Sequence, residues 1–354
     1  MISAEELQLA ARNHGMPLEA LRWDVTPVGL HYLLIHYDIP DVDPAAWRLE
    51  VNGRVERPLT LTLDDLRARE TVTVPVTMEC AGNGRAAMDP RPVSQPWLTE
   101  AVGTAAWTGT PLAPLLEEAG LAGDAVEIVF TGLDRGVEGG VPQAYERSLT
   151  VDQALRSDAL LAWGIGDAPL PPQHGFPLRL VVPGWYGMTN VKWLSRITAV
   201  DAPFTGYQQA RGYRMRSSKD DPGTPITRIL PRALMRPPGV PDFMTRRRFV
   251  PAGTPVALEG RAWSGHGEIV RVEVSTDGGA TWTDAALGDA PGPHAWRAWS
   301  HTWDPPAPGD YELACRATDS AGHTQPDTAP WNLGGYANNA VQRVPVTVDG
   351  ATPA

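Results

Sequence analysis

Cysteine is scarce in this chain: the 354 residues hold two, Cys80 and Cys315. Thiols so far apart make no disulfide framework, and a reducing, cytoplasmic compartment is the simpler expectation. Positive charge is also in deficit. Lysine and arginine number 30 against 41 aspartates and glutamates, a net charge of −11. That balance argues against nucleic acid or an anionic membrane as a partner. No run approaches the roughly 18 consecutive apolar residues of a membrane span. The first residues carry Glu5 and Glu6 where an export signal carries basic ones, and no twin-arginine pair is present. No repeat of fixed period is visible.

What is abundant points to turns. Glycine and proline supply 35 residues each, too many for a helical protein and typical of β-rich or mixed architecture. A chain of this length that is 42% hydrophobic can bury a large core and form two domains. Up to about residue 220 short helices alternate with strands. Leu63–Arg67 and Pro111–Gly120 read as helices, the second ending on a glycine cap. Residues 126–130 and 178–182 read as strands. Near Asp220-Asp221-Pro222-Gly223 the character changes and prolines recur, which predicts domains at 1–220 and 221–354.

Beyond that boundary the pattern is all-β. Residues 256–263, 269–275 and 311–317 alternate at period two, which makes Cys315 a packed strand residue. Asp277-Gly278-Gly279 signals a hairpin. Short strands at this spacing suggest a β-sandwich of immunoglobulin-like build, giving an α+β protein overall. Trp296, Trp299 and Trp303 are expected to fill that sandwich, at least two of them.

Cys80 is the most informative residue. It ends an apolar run (Thr71 to Met78) and opens the loop Cys80-Ala81-Gly82-Asn83-Gly84-Arg85, whose glycines allow close approach of backbone to a ligand. An isolated cysteine is ordinarily a buried structural one. Here the loop position and Arg85, which favours the thiolate, point towards chemistry.

These residues carry a resemblance. The Cys80–Arg85 loop, the segments 101–109, 174–179 and 191–194, and in the second half 262–265, 274–282, 325–327 and 331–333 are similar to the sulfite oxidase family of molybdenum-cofactor enzymes. Their order and spacing match along nearly the whole chain. The resemblance implies that Cys80 binds molybdenum through its thiolate, a soft ligand for a metal already held by dithiolene sulfurs. It implies that His36, Asp134, His174, Arg179 and Lys192 hold the pterin and its phosphate, with backbone from Tyr32, Leu33, Leu34, Ile35 and His36 and from Asn190, Val191 and Lys192. Arg179 and Lys192 supply charge-assisted donors to a phosphate. Arg85, Trp97 and Tyr213 correspond to residues around the substrate pocket, Arg85 meeting an anion and the Tyr213 hydroxyl donating a hydrogen bond. The ordinary alternative for Tyr213 is a surface tyrosine among Arg211, Arg214 and Arg216.

Two positions depart from the family. Its sulfite-oxidising members place an arginine two residues before the pterin histidine, where this chain has Leu34, and another after Trp-Asn-Leu, where it has Gly334. The resemblance therefore implies oxygen-atom transfer at a small, less charged sulfur compound, with electrons passing one at a time to oxygen or a redox carrier. An S-oxide or N-oxide reductase on the same cofactor is one alternative. A non-catalytic cofactor-binding or interaction protein is another. No His-Pro-Gly-Gly haem-ligand segment is present, so no haem is expected. The second domain implies a homodimer.

Overall fold

The computed structural model describes residues 2–349. Met1 and residues 350–354, which the sequence assigns to the ends of the two domains, lie outside them. The first half is built on two sheets. One runs Leu59–Leu61, Leu49–Gly53, Leu194–Val200, Glu127–Glu138, Val141–Thr150. In the other, Val72–Glu79, Val102–Pro111 and Leu160–Ile165 follow one another, with Arg179–Val181 paired to the last.

The helices form where local signals place them. Thr62 caps Leu63–Arg67 through the Asp65 amide while the Asp65 carboxylate reaches back to the cap, a reciprocal pairing that satisfies two otherwise unpaired donors. Leu112–Ala119 ends on Gly120 at φ 67°, a left-handed conformation that glycine adopts without strain. Both helices turn leucines (Leu66, Leu112, Leu115, Leu116) into a core shared with Leu49, Phe130 and Ile197 of the first sheet.

The second half is two facing sheets. Arg232–Arg236, Val256–Trp263, Arg297–Trp303 and Ala286–Leu287 form one. Val240–Pro241, Arg248–Pro251, Gln342–Asp349, Gly309–Asp319, Ile269–Ser275 and Thr283–Asp284 form the other. Between them lie Leu258, Val272, Trp299, Trp303, Leu313 and Val346. Cys315 is fully buried in this layer, as the alternation predicts. Trp299 and Trp303 fill it too, while Trp296 is buried in a different cluster with Trp263 and Tyr186. The Asp277 turn forms as expected: its carboxylate takes the Thr281 amide and hydroxyl and closes Ile269–Ser275 onto Thr283–Asp284. Between the halves, Arg214–Met215 pairs with Thr224–Pro225, so residues 220–223 are the tip of a small hairpin.

The two halves are joined through charge as well as packing. Glu79, the last residue of Val72–Glu79, is buried. Its Oε1 lies 3.0 Å from Arg232 Nε, and both side chains are about 2% exposed. Trp263 Nε1 donates to Oε2 at 2.8 Å and Asn83 Nδ2 to Oε1 at 3.0 Å. Arg232 also donates to the Asn338 carbonyl. Removing one partner of a buried pair leaves the other charge uncompensated. Glu79→Ala is therefore expected to lower the free energy of unfolding by about 3–5 kcal/mol in denaturant titrations; a loss under about 1 kcal/mol would mean that the pair does not hold the halves together.

Candidate active site

Cys80 follows the strand directly. Its amide donates to the Ala101 carbonyl at 2.9 Å, and its own carbonyl takes the Asn83 amide at 3.0 Å. Gly84 sits at φ 90° and opens the single turn Arg85–Ala87. The Gly82 amide points at Cys80 Sγ, 3.4 Å away. The sulfur thus stands at the wall of a cavity also lined by His31, Tyr32, Leu33, Leu34, His36, Met78, Asp134, Tyr145, His174, Arg179, Gly187, Met188, Asn190, Lys192 and Tyr213.

Most of the expected residues are brought together here; four are not on the wall. The Ile35 amide donates to Asn13 Oδ1 and its side chain is buried. Val191 packs in the core of the first sheet. Arg85 is buried, with Nε donating to the Gly334 carbonyl and Nη1 to the Gln95 carbonyl, both at 2.9 Å. Trp97 is buried behind Cys80 in the same apolar cluster. Tyr213 is not a surface tyrosine: it is buried and lines the cavity.

The expectation that Arg85 favours the thiolate holds in direction but is outweighed. Burial pushes the Cys80 thiol up, while Arg85, the Gly82 amide and Trp97 draw it down by less. Without a metal the sulfur therefore stays protonated, and a thiophilic metal would have to displace the proton.

Two cations, Arg179 and Lys192, stand at the cavity. Arg179 donates Nη1 to the His174 carbonyl and Nη2 to the Asn190 carbonyl, lies over the Trp107 ring, and leaves Nε without a partner. Lys192 Nζ donates to the carbonyls of Leu34 (2.8 Å) and Gln173 (3.1 Å) and lies 4.4 Å from the centre of the Trp193 ring. Neither has a carboxylate in ion-pair contact among the described residues. Burial drives Arg179 down to about 10 and Lys192 to about 7. Asp134, its Oδ1 unpartnered, is pushed up to about 6 by the same desolvation, and His174 falls to about 2. Desolvated cations without partners are costly unless an anionic ligand completes them. A phosphate-bearing group beside a thiol-bound metal fits this donor set.

Sequence reasoning missed several residues. Tyr336 from the second half lies 5.3 Å from the Tyr213 ring and 5.2 Å from the Arg85 guanidinium. Gly334 carries no side chain because a Cβ there would collide with that ring. Arg147, fully enclosed, sits over Tyr213, and Tyr145 and His31 join the wall. Glu79 could have been read as a lone carboxylate ending an apolar strand beside Cys80. The rest had no local signal.

Comparison with known proteins agrees with this geometry. The family model "Oxidoreductase molybdopterin binding domain" matches residues 36–208, and "Mo-co oxidoreductase dimerisation domain" matches 244–349. Sulfite oxidase of Gallus gallus is 38% identical over 337 residues, 90% of this chain and 72% of that protein. The chain belongs to the sulfite oxidase family. Within it, mitochondrial sulfite oxidase of Mus musculus is 36% identical over 92% of this chain, which spans 62% of that relative's length. Nitrate reductase [NADH] 1 of Oryza sativa subsp. japonica is 33% identical over 92% of this chain and 38% of its own. The crystal structure of the sulfane dehydrogenase SoxCD from Paracoccus pantotrophus superposes with a TM-score of 0.81 at 26% identity, covering 95% of this chain and 86% of that one. The family resemblance read from the motifs is thus borne out, as is a mixed α/β first half followed by a domain rich in strands.

The lysine has a measurable consequence. An unfolded lysine titrates near about 10.4, so between pH 7 and that value the unfolded cofactor-free chain binds more protons than the folded one. Stability of the cofactor-free protein is expected to rise with pH through this window. Lys192→Met should flatten the rise when denaturation midpoints at pH 7 and pH 9.5 are compared; an equal slope in both proteins would assign the effect elsewhere.

Proposed function

We propose that the chain is a molybdopterin-dependent oxidoreductase that adds an oxygen atom to a small sulfur compound of low charge and passes the electrons to an external acceptor, oxygen or a redox carrier. The observation that carries this reading is the Cys80 sulfur at the wall of a cavity where buried Arg179 and half-buried Lys192 have, among the described residues, no carboxylate in ion-pair contact. When bound, the cofactor supplies the two-electron chemistry at its metal.

The chain's own residues have definite parts in this reading. Cys80 would hold the metal, and Arg179 and Lys192 the terminal phosphate, with His36, Asp134, His174 and Asn190 around the pterin. Tyr213 offers a hydroxyl at the cavity whose proton burial keeps in place, its ionisation driven well above the ordinary value. That keeps it a hydrogen-bond donor throughout the working pH range. Arg85 is pinned by backbone carbonyls beneath the Tyr336 ring and acts on the site through its charge. Trp97 backs the sulfur.

Substrate class follows from the same wall. Leu34 is apolar, and Gly334 holds no cation while Tyr336 stands beside it. A doubly charged oxyanion there would lose charge-assisted contacts of about 1.5–3 kcal/mol each. A thioether, thiol or sulfane sulfur suits this wall better than sulfite. The C-terminal sandwich, of immunoglobulin-like build in this reading, would form a homodimer. Phe243 and Met244, more than 80% exposed beside the start of the matched dimerisation domain, support that. We divide the labour at residue 220 and place the protein in the cytoplasm, the latter on its two free, buried cysteines.

Metal analysis of protein from cells that make the cofactor tests the first claim: near-stoichiometric molybdenum is expected, and less than about a tenth of a metal per chain overturns it. Cys80→Ser should abolish turnover while leaving the fold intact, because a hydroxyl is a poor ligand for a thiophilic metal. For the substrate, turnover of a thioether with ferricyanide should exceed that of sulfite. Sulfite turnover at micromolar KM would refute the low-charge assignment, and faster reduction of a sulfoxide by reduced viologen would reverse the direction.

A further inference from the structure

Beside the cavity wall one carboxylate gathers three distant segments. Glu138 ends the strand Glu127–Glu138, which turns back through Gly139 and Gly140 into Val141–Thr150. Its Oε2 lies 2.8 Å from His36 Nε2, 2.6 Å from Gln208 Nε2 and 3.3 Å from the Tyr37 hydroxyl. The strand is shaped for this approach: a Cβ at Gly136 would stand 2.3 Å from Cδ1 of the Tyr37 ring.

The hydrogens of this cluster are accounted for. Burial alone would raise the Glu138 carboxyl, but hydrogen bonds from His36, Gln208 and Tyr37 outweigh it and hold the group below its usual range. An ionised carboxylate can only accept, so His36 Nε2 carries a hydrogen. Burial drives the ionisation of Tyr37 upward, which keeps its hydroxyl a donor. Gln208 directs its side-chain amide at Glu138 and at the Tyr37 oxygen, 2.9 Å away.

Two of the groups held in this way belong to the site. His36 and Tyr213 line the cavity, whereas Glu138, Tyr37 and Gln208 do not. Gln208, buried, opens the turn Gln208–Gly212, and Tyr213 follows it with its amide donating to the Gln208 carbonyl at 3.3 Å. The His36 ring stands 5.1 Å from the Tyr145 ring and 6.4 Å from that of Tyr213. A carboxylate bonded to one ring nitrogen fixes both the tautomer and the orientation of an imidazole.

We propose that Glu138 is a positioning residue of the active site, fixing the His36 imidazole directly and the turn that presents Tyr213 through Gln208. The inference rests on the reading above, in which His36 stands beside the pterin and Tyr213 beside the substrate. Without the carboxylate oxygen the ring and the turn each gain other placements. Cofactor retention then weakens, and turnover falls by more than substrate binding does.

The test compares full-length wild type with Glu138→Leu, Glu138→Gln and Glu138→Asp, all from cells that make the cofactor. Glutamine keeps an oxygen where Oε2 stands, leucine offers none, and aspartate withdraws it by one methylene. Pterin release after dilution is followed by the fluorescence of the oxidised, extracted pterin. Turnover is measured with ferricyanide and whichever of dimethyl sulfide or sulfite the wild type oxidises; if it oxidises neither, release decides alone. Leucine should speed release and lower kcat roughly tenfold each, with KM within about threefold, while glutamine stays within about threefold of wild type in all three. Wild-type release and kcat in the leucine variant would overturn the inference while leaving the pterin reading intact. Equal losses in leucine and glutamine, or losses matched by lowered melting of the cofactor-free forms, would also overturn it. A wild type that carries no pterin would overturn the cofactor reading, and this inference with it. Should the leucine variant not fold, aspartate must show the loss that glutamine is spared, and equal behaviour of those two overturns the inference.

Discussion

The ion pair between Glu79 and Arg232 is the constraint on which the rest of the site depends. A buried pair contributes little net stability compared with well-packed apolar groups, because desolvating both charges offsets much of their attraction. What it contributes here is position. Glu79 accepts from Asn83 in its own loop and from Trp263 in the second half, besides facing Arg232. The carboxylate is thus held from three directions, and the next residue is Cys80. The backbone that carries the Cys80 sulfur is thereby fixed at the end of the strand Val72–Glu79, at the cavity wall.

The same interaction ties the second half to the loop that carries Cys80. From its far end the segment 331–339 lies along the Cys80 loop. Trp331 donates to the Pro90 carbonyl, the Ala337 amide to the Ala81 carbonyl, and Asn338 Nδ2 to the Gly84 carbonyl. Tyr336 comes with it and covers Arg85. A β-sandwich could have served subunit association alone, yet here it packs against the loop that carries Cys80 and Arg85. Function on this scaffold is assembled from both halves.

Much of this was legible in the sequence because it is local. The alternation of residues 256–263 and 269–275, the Asp277 turn, the capped helix at Leu63–Arg67 and the strand leading into Cys80 all follow from neighbours within a few positions. The motifs of the resemblance gathered His36, Asp134, His174, Arg179, Lys192 and Tyr213 onto one wall. What the sequence could not convey is contact between distant segments. Nothing near Glu79 announces Arg232, and nothing in Gly334-Gly335-Tyr336 tells where that ring goes. The balance at Cys80 likewise needed the depth of burial, since Arg85 alone argues for the opposite protonation state.

The crowding around Gly334 bears on how the chamber could be altered by descent. Because Tyr336 occupies the volume that any side chain at 334 would need, a basic residue cannot enter there by one substitution without a clash. The ring must move or shrink, which changes its contacts with Arg85 and Tyr213. The two positions are therefore interlocked: a side chain at 334 requires the ring at 336 to leave its present place.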